Sequence, residues 1–250
     1  MSTVFYKSKD GQNHPIKFYD LLDEGWNMDK FIREGTVFSR PDHNYSALLK
    51  YLNPGDVVYD CGAYIGTFAI PFAIEGMKVH AFEAWPGNSE RCRKNFVPYD
   101  ITLHEVALSD RNEQKNAQII HCMGWENYDP QEYRLIEYVR LDDYISKNSL
   151  PNPSLIKMDI EGMESLAMLG AMNLLEKVRP VWQMGLHLQI KHGVDVPTFP
   201  GWVDSIDGGF DWSKINQLDY IVCDYNGNQI NPNTILLRSG EYIFVPKEKW

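Results

Sequence analysis

The sequence predicts an α/β domain built on a mostly parallel, seven-stranded sheet with helices on both faces. From Gly55 onward, short apolar runs alternate with segments of helical periodicity, which is typical of parallel strands joined by helices. The length of 250 residues suits one such domain with a large core, which we assign to residues 51–250, after an N-terminal extension at residues 1–50. The predicted strands are Val57–Cys61, Lys78–Glu83, Ile101–Val106, Leu155–Asp159, Val181–Leu186, Tyr220–Asp224 and Tyr242–Val245.

Helices are predicted between these strands, and two longer connections are less regular. Residues 116–140 and 191–215 carry several aromatic side chains but no clear periodicity. Because long connections in a compact domain are usually lids or binding loops, we expect both segments to lie over a substrate. The predicted helices of the domain are Thr67–Ile74, Asn88–Phe96, Leu141–Ser146 and Met163–Leu175.

The N-terminal extension is irregular in pattern but contains local signals. The dipeptide Asp10-Gly11 favours a tight hairpin turn. One helix is expected near Met28–Arg33 and a second near Tyr45–Leu52, where an asparagine is available as a cap.

Composition and charge restrict the class of function. The net charge of −10 and the absence of a basic run argue against a nucleic-acid partner, so a small or weakly charged substrate is favoured. No apolar run approaches the ~20 residues of a membrane span, and the N-terminus lacks the apolar core of a secretory signal. We therefore expect a cytoplasmic protein without a membrane partner. The four cysteines are scattered without a CxxC pair, which predicts neither a zinc site nor a disulfide framework.

The strongest motif for a cofactor lies where the first domain strand ends. Asp60 closes an apolar strand, and a turn that contains Gly62 and Gly66 leads into a helix. Ligands of open α/β sheets bind at the carboxyl ends of strands, and glycines allow the backbone to approach them closely. In NAD enzymes this turn reads GxGxxG, whereas here Asp60 replaces the first glycine. A carboxylate there would repel a diphosphate but suits the ammonium and sulfonium of S-adenosylmethionine, which disfavours an NAD-linked reductase.

Glu83 supports the same interpretation. It ends the next predicted strand, 23 residues after Asp60, where an acid can accept hydrogen bonds from both hydroxyls of a ribose. The alternative is an ordinary α/β unit whose turn contains glycine and whose strand happens to end in glutamate. The acid before the turn and the acid after the second strand together favour the cofactor site.

Several segments resemble one known family. The run Asp60–Thr67 resembles the D-x-G-A-N-x-G-x run of FkbM-family methyltransferases, with Tyr64 where that family usually has asparagine. Residues 106–110 are similar to its V-A-L-S-D segment, residues 155–164 to its I-K-I-D-V-E-G-x-E signature, and an Arg-Pro pair follows at 179–180. The resemblance covers about residues 50–190. It implies a Rossmann-like class I methyltransferase fold, S-adenosylmethionine as cofactor, and O-methylation of a hydroxyl on a sugar or natural-product acceptor, either a small molecule or a glycan.

The resemblance also implies positions for the cofactor. The turn after Asp60 would flank its methionine part, Glu83 would take its ribose, and the loop near Val106 and Ala107 would frame its adenine. For those last two residues, a strand end packed in the core is the alternative. The predicted cofactor-binding residues are Asp60, Gly62, Ala63, Tyr64, Gly66, Thr67, Glu83, Ala84, Val106, Ala107 and Asp159.

The second polar cluster follows the fourth domain strand and is predicted to serve the chemistry. Strand alternation puts Lys157 and Asp159 on one face, and Asp159 and Glu161 at the carboxyl end. Methyl transfer needs alignment and removal of a proton from the acceptor, so Asp159 and Glu161 are predicted catalytic residues. The alternative is a Lys157–Asp159 ion pair and two acids that stabilise a helix N-terminus; for Glu164 we adopt that structural role.

His187, at the end of the following strand, is the third predicted catalytic residue. Its ordinary pKa suits a general base, whereas a carboxylate beside a sulfonium has a lowered pKa; a hydrogen-bonding role in the fold is the alternative. Gly185 stands where FkbM-like proteins often carry an acid, which weakens a metal-binding role and would enlarge the acceptor pocket. We predict no metal, although Asp159, Glu161 and His187 could chelate a divalent cation.

Two alternatives share the cofactor site. An N-methyltransferase acting on an amide or amine would differ only in the acceptor pocket. A protein that binds S-adenosylmethionine without catalysis would explain the departures at Tyr64 and Gly185, but the retention of Asp159 and Glu161 argues for catalysis. The sequence leaves the identity of the acceptor and the oligomeric state open.

Overall fold

The computed structural model describes residues 2–19, 45–117, 134–186, 210–231 and 240–250. Its strands are β1 Ser2–Lys7, β2 Asn13–Phe18, β3 Val57–Cys61, β4 Lys78–Phe82, β5 Ile101–His104, β6 Ala107–Leu108, β7 Glu113–Ala117, β8 Arg134–Val139, β9 Leu155–Met158, β10 Val181–Leu186, β11 Tyr220–Cys223 and β12 Gly240–Pro246. Its α-helices are α1 Tyr45–Leu49, α2 Ala69–Ile74, α3 Pro86–Asn95, α4 Leu141–Asn148, α5 Glu164–Leu169 and α6 Ser213–Gln217. A π-helical turn covers Leu174–Val178 and a 3-10 turn covers Lys247–Lys249.

The central sheet contains seven strands in the order β5-β4-β3-β9-β10-β12-β11. Strands β5, β4, β3, β9 and β10 pair in parallel, whereas β12 runs antiparallel to both β10 and β11. All seven predicted domain strands belong to this sheet, and the Rossmann-like, mostly parallel prediction is confirmed. Strand β12 follows β11 in the chain and lies between β10 and β11, and it is the one strand that runs against its neighbours.

Helices cover both faces of the sheet, as predicted. Because side chains alternate along a strand, Val58 packs with the cluster under α1, α2 and the end of α3, while Tyr59 packs with the cluster under α4, α5 and α6. The predicted helix Met163–Leu175 is interrupted after Leu169. Gly170 follows the last residue of the helix. A Cβ on Gly170 would lie 2.1 Å from the carbonyl oxygen of Ser109, so the close approach of these two backbone segments requires glycine at this position.

The N-terminal hairpin is present, with Asp10 and Gly11 in the turn between β1 and β2. Ile16 and Phe18 are fully buried in the same core cluster as the sheet. Tyr6 donates a hydrogen bond of 2.6 Å to Glu75 at the end of α2. The hairpin therefore packs directly on the domain, whereas the predicted helix at residues 28–33 lies outside the described residues.

The expectation of irregular structure over residues 116–140 was wrong where the structure describes this segment. Strands β7 and β8 pair antiparallel and form a second, three-stranded sheet with β6. Along β8, Ile136 and Tyr138 are buried and Glu137 is exposed, so the alternation of a half-buried strand was present in the sequence. Strand β7 is polar and offered no such signal. No helix in the described parts of the chain is long and apolar enough to cross a membrane.

Two histidines stack at the outer strands of the sheet. His80 Nδ1 lies 3.0 Å from His104 Nε2, and His104 Nδ1 lies 3.2 Å from the Tyr144 hydroxyl. Burial and the neighbouring His80 lower the pKa of His104 to about 4, and burial lowers the pKa of His80. The folded protein therefore holds this pair neutral at neutral pH.

We predict that this pair makes the stability of the protein sensitive to mild acid. The unfolded chain protonates His104 near its ordinary pKa of 6.5, so the stabilisation is present above that pH and is lost as the pH falls towards 4. His104→Gln should flatten the decline in unfolding free energy between pH 6.5 and 4 by about 1–2 kcal/mol. Urea titrations of both proteins across this range measure the effect. Parallel curves would contradict the assignment, because the carboxylates titrate in both proteins.

Candidate active site

The turn after β3 is fastened to the ends of two neighbouring strands. The N–H groups of Gly62 and Ala63 donate to the carbonyl of Phe82, at 2.9 and 3.1 Å. Gly62 has a φ of +83°, and a Cβ there would lie 1.9 Å from the carbonyl oxygen of Asp159. At Gly66, with a φ of +95°, a Cβ would lie 2.3 Å from the Phe96 ring. The sequence suggested that these glycines allow a ligand to approach the backbone. Instead, other residues of the protein fill the space beside both Cα atoms, so packing within the protein requires the two glycines.

Tyr64 lies in the same turn with a left-handed φ of +57°. Asparagine is among the few non-glycine residues that adopt this conformation readily, which explains why it suits the position in the resembling family. The turn stabilises Tyr64 on both sides. Its N–H donates to Glu83 at 2.7 Å, and its carbonyl accepts from the Cys92 thiol at 3.0 Å.

Glu83 follows β4 and is buried beneath this turn. Its two carboxylate oxygens accept the N–H groups of Tyr64 and Trp85, at 2.7 and 2.9 Å. Burial raises the pKa of Glu83 to about 7, although these hydrogen bonds oppose the shift. The Asn88 side chain is a third donor to Glu83. Two carboxylate oxygens can accept about four hydrogen bonds, so Glu83 can hold the turn and still accept one from a ligand.

A buried ion pair joins β3 and β9 directly below the turn. Lys157 Nζ lies 3.3 Å from Asp60 Oδ1 and donates to the carbonyl of Gly62 at 2.8 Å. Burial opposes the charge on Lys157, but the carboxylates of Asp60 and Asp159 outweigh it and raise the pKa of the ammonium. In the described residues, no hydrogen bond of ordinary geometry reaches either carboxylate oxygen of Asp60. The partner in this ion pair is Asp60, whereas the structural alternative in the sequence named Asp159.

A second set of polar groups continues across the sheet on the same face. Gln183 is the cross-strand neighbour of Lys157. Gly185, two residues further, packs against Asp159: a Cβ on Gly185 would lie 3.0 Å from the Asp159 carboxyl carbon. Glu241 of β12 stands opposite Gly185 in the antiparallel register. The sheet therefore places two carboxylates on either side of a residue that has no side chain.

Three residues in or next to this set were missed by sequence reasoning: Gln183, Tyr225 and Glu241. Glu241 accepts a hydrogen bond from Gln183 Nε2 and another from the Tyr225 hydroxyl at 3.3 Å. Glu241 is the only charged residue of β12, which was a usable signal. Its proximity to Asp159 depends on the register of an antiparallel strand distant in sequence, and no local pattern predicts that.

The turn after β9 carries the predicted acceptor-side acids. Glu161 has a left-handed φ of +57°, and Gly162 follows with a φ of +98°. The buried carboxylate of Glu164 accepts the N–H groups of Ile160 and Gly162, at 3.1 and 3.0 Å. Glu164 thus holds the backbone that presents Asp159 and Glu161, in agreement with its assignment to a structural role.

The structure brings most of the predicted site residues to one edge of the sheet. Val106 is buried in the core, and Ala107 begins β6 of the second sheet, opposite Tyr138. His187 lies outside the described residues, so its role stays a prediction. Among the described residues, no group of three or more His, Cys, Asp or Glu is arranged to hold a metal. The residues that follow β3, β4 and β9 at this edge are Gly62, Ala63, Tyr64, Gly66, Thr67, Glu83, Ala84, Asp159 and Glu161.

Three known proteins that resemble this chain are named as methyltransferases. Residues 60–204, more than half of the chain, match the methyltransferase FkbM domain. The 2-O-methyltransferase NoeI of Sinorhizobium fredii is 30% identical over 174 residues, which cover 60% of this chain and 71% of that protein. The hexuronic acid methyltransferase AglP of Haloferax volcanii is 26% identical over 152 residues, 59% of this chain and 61% of that protein. A crystal structure of methyltransferase FkbM from Methylobacillus flagellatus aligns with a TM-score of 0.47 and 19% identity, covering 77% of this chain and 44% of that one.

We predict that Gly62→Ala destabilises the protein through the backbone of β9. The methyl group would meet the Asp159 carbonyl. The free energy of unfolding should therefore fall by at least about 2 kcal/mol more than a left-handed alanine alone would cost. Gly55→Ala is the matched control, because Gly55 has a φ of +93° and nothing within 4 Å of its Cβ position. The control should lose about 1–2 kcal/mol. Urea unfolding compares the two variants, and equal losses would refute the contact.

Proposed function

The chain belongs to the FkbM methyltransferase family, and from this premise we propose that it transfers a methyl group from S-adenosylmethionine to a hydroxyl group of a sugar. The names of its two relatives, a 2-O-methyltransferase and a hexuronic acid methyltransferase, support a sugar acceptor. The observation that carries the proposal is the arrangement of Glu83, Asp60 and Asp159 at adjoining strand ends. These carboxylates are spaced along one edge of the sheet, as a cofactor and an acceptor side by side require.

The residues at the first two strand ends fit S-adenosylmethionine. When bound, it supplies a methyl group activated by a positively charged sulfur. Glu83 keeps an acceptor position for a ribose hydroxyl beside its bonds to Tyr64, Trp85 and Asn88. The turn at residues 62–67 would lie along the methionine part. The carboxylate oxygens of Asp60 are buried and short of hydrogen-bond donors from the described residues, so a cationic ligand nearby would be favourable. These features support S-adenosylmethionine as the cofactor. Asp60 stands where a dinucleotide-binding turn would have a glycine beside the diphosphate.

The residues after β9 would serve the acceptor. Its hydroxyl oxygen must be aligned with the methyl carbon and must give up its proton as the new O–C bond forms. Asp159 and Glu161 are half-buried at this point, and Glu161 is held in a strained backbone conformation. Such strain costs of order 1–3 kcal/mol, persists where the surrounding structure holds it, and is frequent at active sites. Among the described residues, we assign Glu161 as the candidate acceptor of the hydroxyl proton, with Asp159 orienting the hydroxyl; His187, which lies outside them, stays the other predicted base.

The direct test is methyl transfer to a panel of methyl glycosides and amines. We expect S-adenosylhomocysteine to form only with hydroxyl-bearing acceptors, and mass spectrometry with NMR to place the new methyl group on oxygen. Transfer to an amine instead would make the protein an N-methyltransferase. Tight binding of S-adenosylmethionine by calorimetry, without turnover on any acceptor, would support the non-catalytic alternative and refute the proposal.

Glu161→Gly separates a catalytic role from a structural one. Glycine relieves the left-handed strain but adds backbone freedom in the unfolded chain, so the free energy of unfolding should change by less than about 1 kcal/mol. Loss of a positioned proton acceptor should lower the single-turnover rate by about 10²–10⁴-fold, with the affinity for S-adenosylmethionine retained. Glu137→Gln, on the exposed side of β8, controls for the loss of one carboxylate. A native transfer rate in Glu161→Gly would remove Glu161 from the reaction.

A further inference from the structure

We propose that Glu241 binds hydroxyl groups of the acceptor and makes the site select a neutral sugar over a sugar that carries a carboxylate. This inference rests on the sugar methylation proposed above and names its substrate class. It is carried by the position of Glu241 beside Gly185, by the two donors that hold its carboxylate, and by the charge of the neighbouring groups.

The antiparallel direction of β12 places Glu241 at the reactive edge of the sheet. The first residues of β12 lie beside the last residues of β10, with Glu241 opposite Gly185. Opposite residues of an antiparallel pair project to the same face about 4.5–5.5 Å apart. Gly185 projects no side chain, and the Asp159 carboxyl group packs in the place that a side chain on residue 185 would take. Asp159 and Glu241 therefore lie on either side of Gly185, with no side chain of residue 185 between them.

The carboxylate of Glu241 is oriented from below. Gln183 and Tyr225, which are almost fully buried, both donate to the same oxygen, Oε2. Burial, reinforced by the charge of Glu241, raises the pKa of the Tyr225 phenol, so it remains a donor at any physiological pH. Gln183 Oε1 is also buried and accepts no hydrogen bond from the described residues. Of this cluster, the partly exposed carboxylate of Glu241 is the group that sugar hydroxyls can approach, and a carboxylate accepts the hydrogen bonds that hydroxyls donate.

Among the described residues, the charges at this edge favour a neutral acceptor. Asp159, Glu161 and Glu241 contribute carboxylates, and Glu241 itself is only partly buried. The buried ammonium of Lys157 is already engaged by Asp60 and by the Gly62 carbonyl. A hydroxyl donates to these carboxylates, whereas a substrate carboxylate would face like charge at short range. The chain should therefore differ in acceptor from its relative that is named for a hexuronic acid.

Paired acceptors test this selectivity. The full chain and S-adenosylmethionine are incubated with methyl glycosides of glucose, galactose and mannose, each beside the uronic acid of the same configuration. We expect the neutral member to exceed the uronate at least tenfold in kcat/KM in every pair that turns over. Glu241→Gln should raise KM for the neutral sugar about tenfold and change kcat less than threefold. It should also lower the ratio of kcat/KM between the neutral sugar and its uronate. Tyr225→Phe should act in the same direction with a smaller effect, and Glu137→Gln should leave both constants unchanged.

The outcomes separate this inference from the proposed function. Turnover with a preference for the uronates, or an unchanged preference in Glu241→Gln, would overturn the role of Glu241 and leave sugar methylation standing. Absence of turnover on every sugar, with amines methylated instead, would refute both. If circular dichroism shows that Glu241→Gln is unfolded, Tyr225→Phe decides alone: an unchanged preference and an unchanged KM in that variant overturn the inference.

Discussion

The buried ion pair between Asp60 and Lys157 is the interaction on which the site depends. A buried charge is tolerated only when it is paired and hydrogen-bonded, and removal of either partner leaves the other uncompensated. Because the pair spans β3 and β9, it specifies the register of the two strands that end at the site. Lys157 also donates to Gly62, so the same charge positions the turn above it. The turn proposed to bind the cofactor and the strand proposed to serve the acceptor are thereby connected through one ammonium group.

Both turns at the sheet edge are built by the same device. Each contains a non-glycine residue in the left-handed region, Tyr64 after β3 and Glu161 after β9. In each case a buried glutamate accepts backbone N–H groups of the turn, Glu83 in the first and Glu164 in the second. A carboxylate can satisfy two or more such donors and still keep lone pairs. Backbone strain is thus offset locally, and the side chains that face the ligand are held in defined positions.

The antiparallel strand at the end of the sheet enlarges the site beyond the parallel part. A parallel strand contributes only its carboxyl end to this edge, whereas β12 contributes its first residues. Glu241 reaches the proposed acceptor side in this way, and the Asp159 carboxyl group packs where a side chain on residue 185 would lie. Gly185 on β10 and Glu241 on β12 therefore act together: they place the carboxylates of Asp159 and Glu241 on either side of a residue that has no side chain.

The sequence by itself determined the seven strands of the central sheet, the helices between them and the two turns that follow β3 and β9, because apolar periodicity and glycine positions are local properties of the chain. It also indicated Glu83 and Asp159, since each ends a strand in a recognisable motif. It did not reveal the second sheet of β6, β7 and β8. The tertiary structure alone decided that Lys157 pairs with Asp60, that the Asp159 carbonyl requires glycine at position 62, and that Glu241 lies opposite Gly185. These contacts join residues that are distant in sequence, and strand register, which no local pattern encodes, sets their distances.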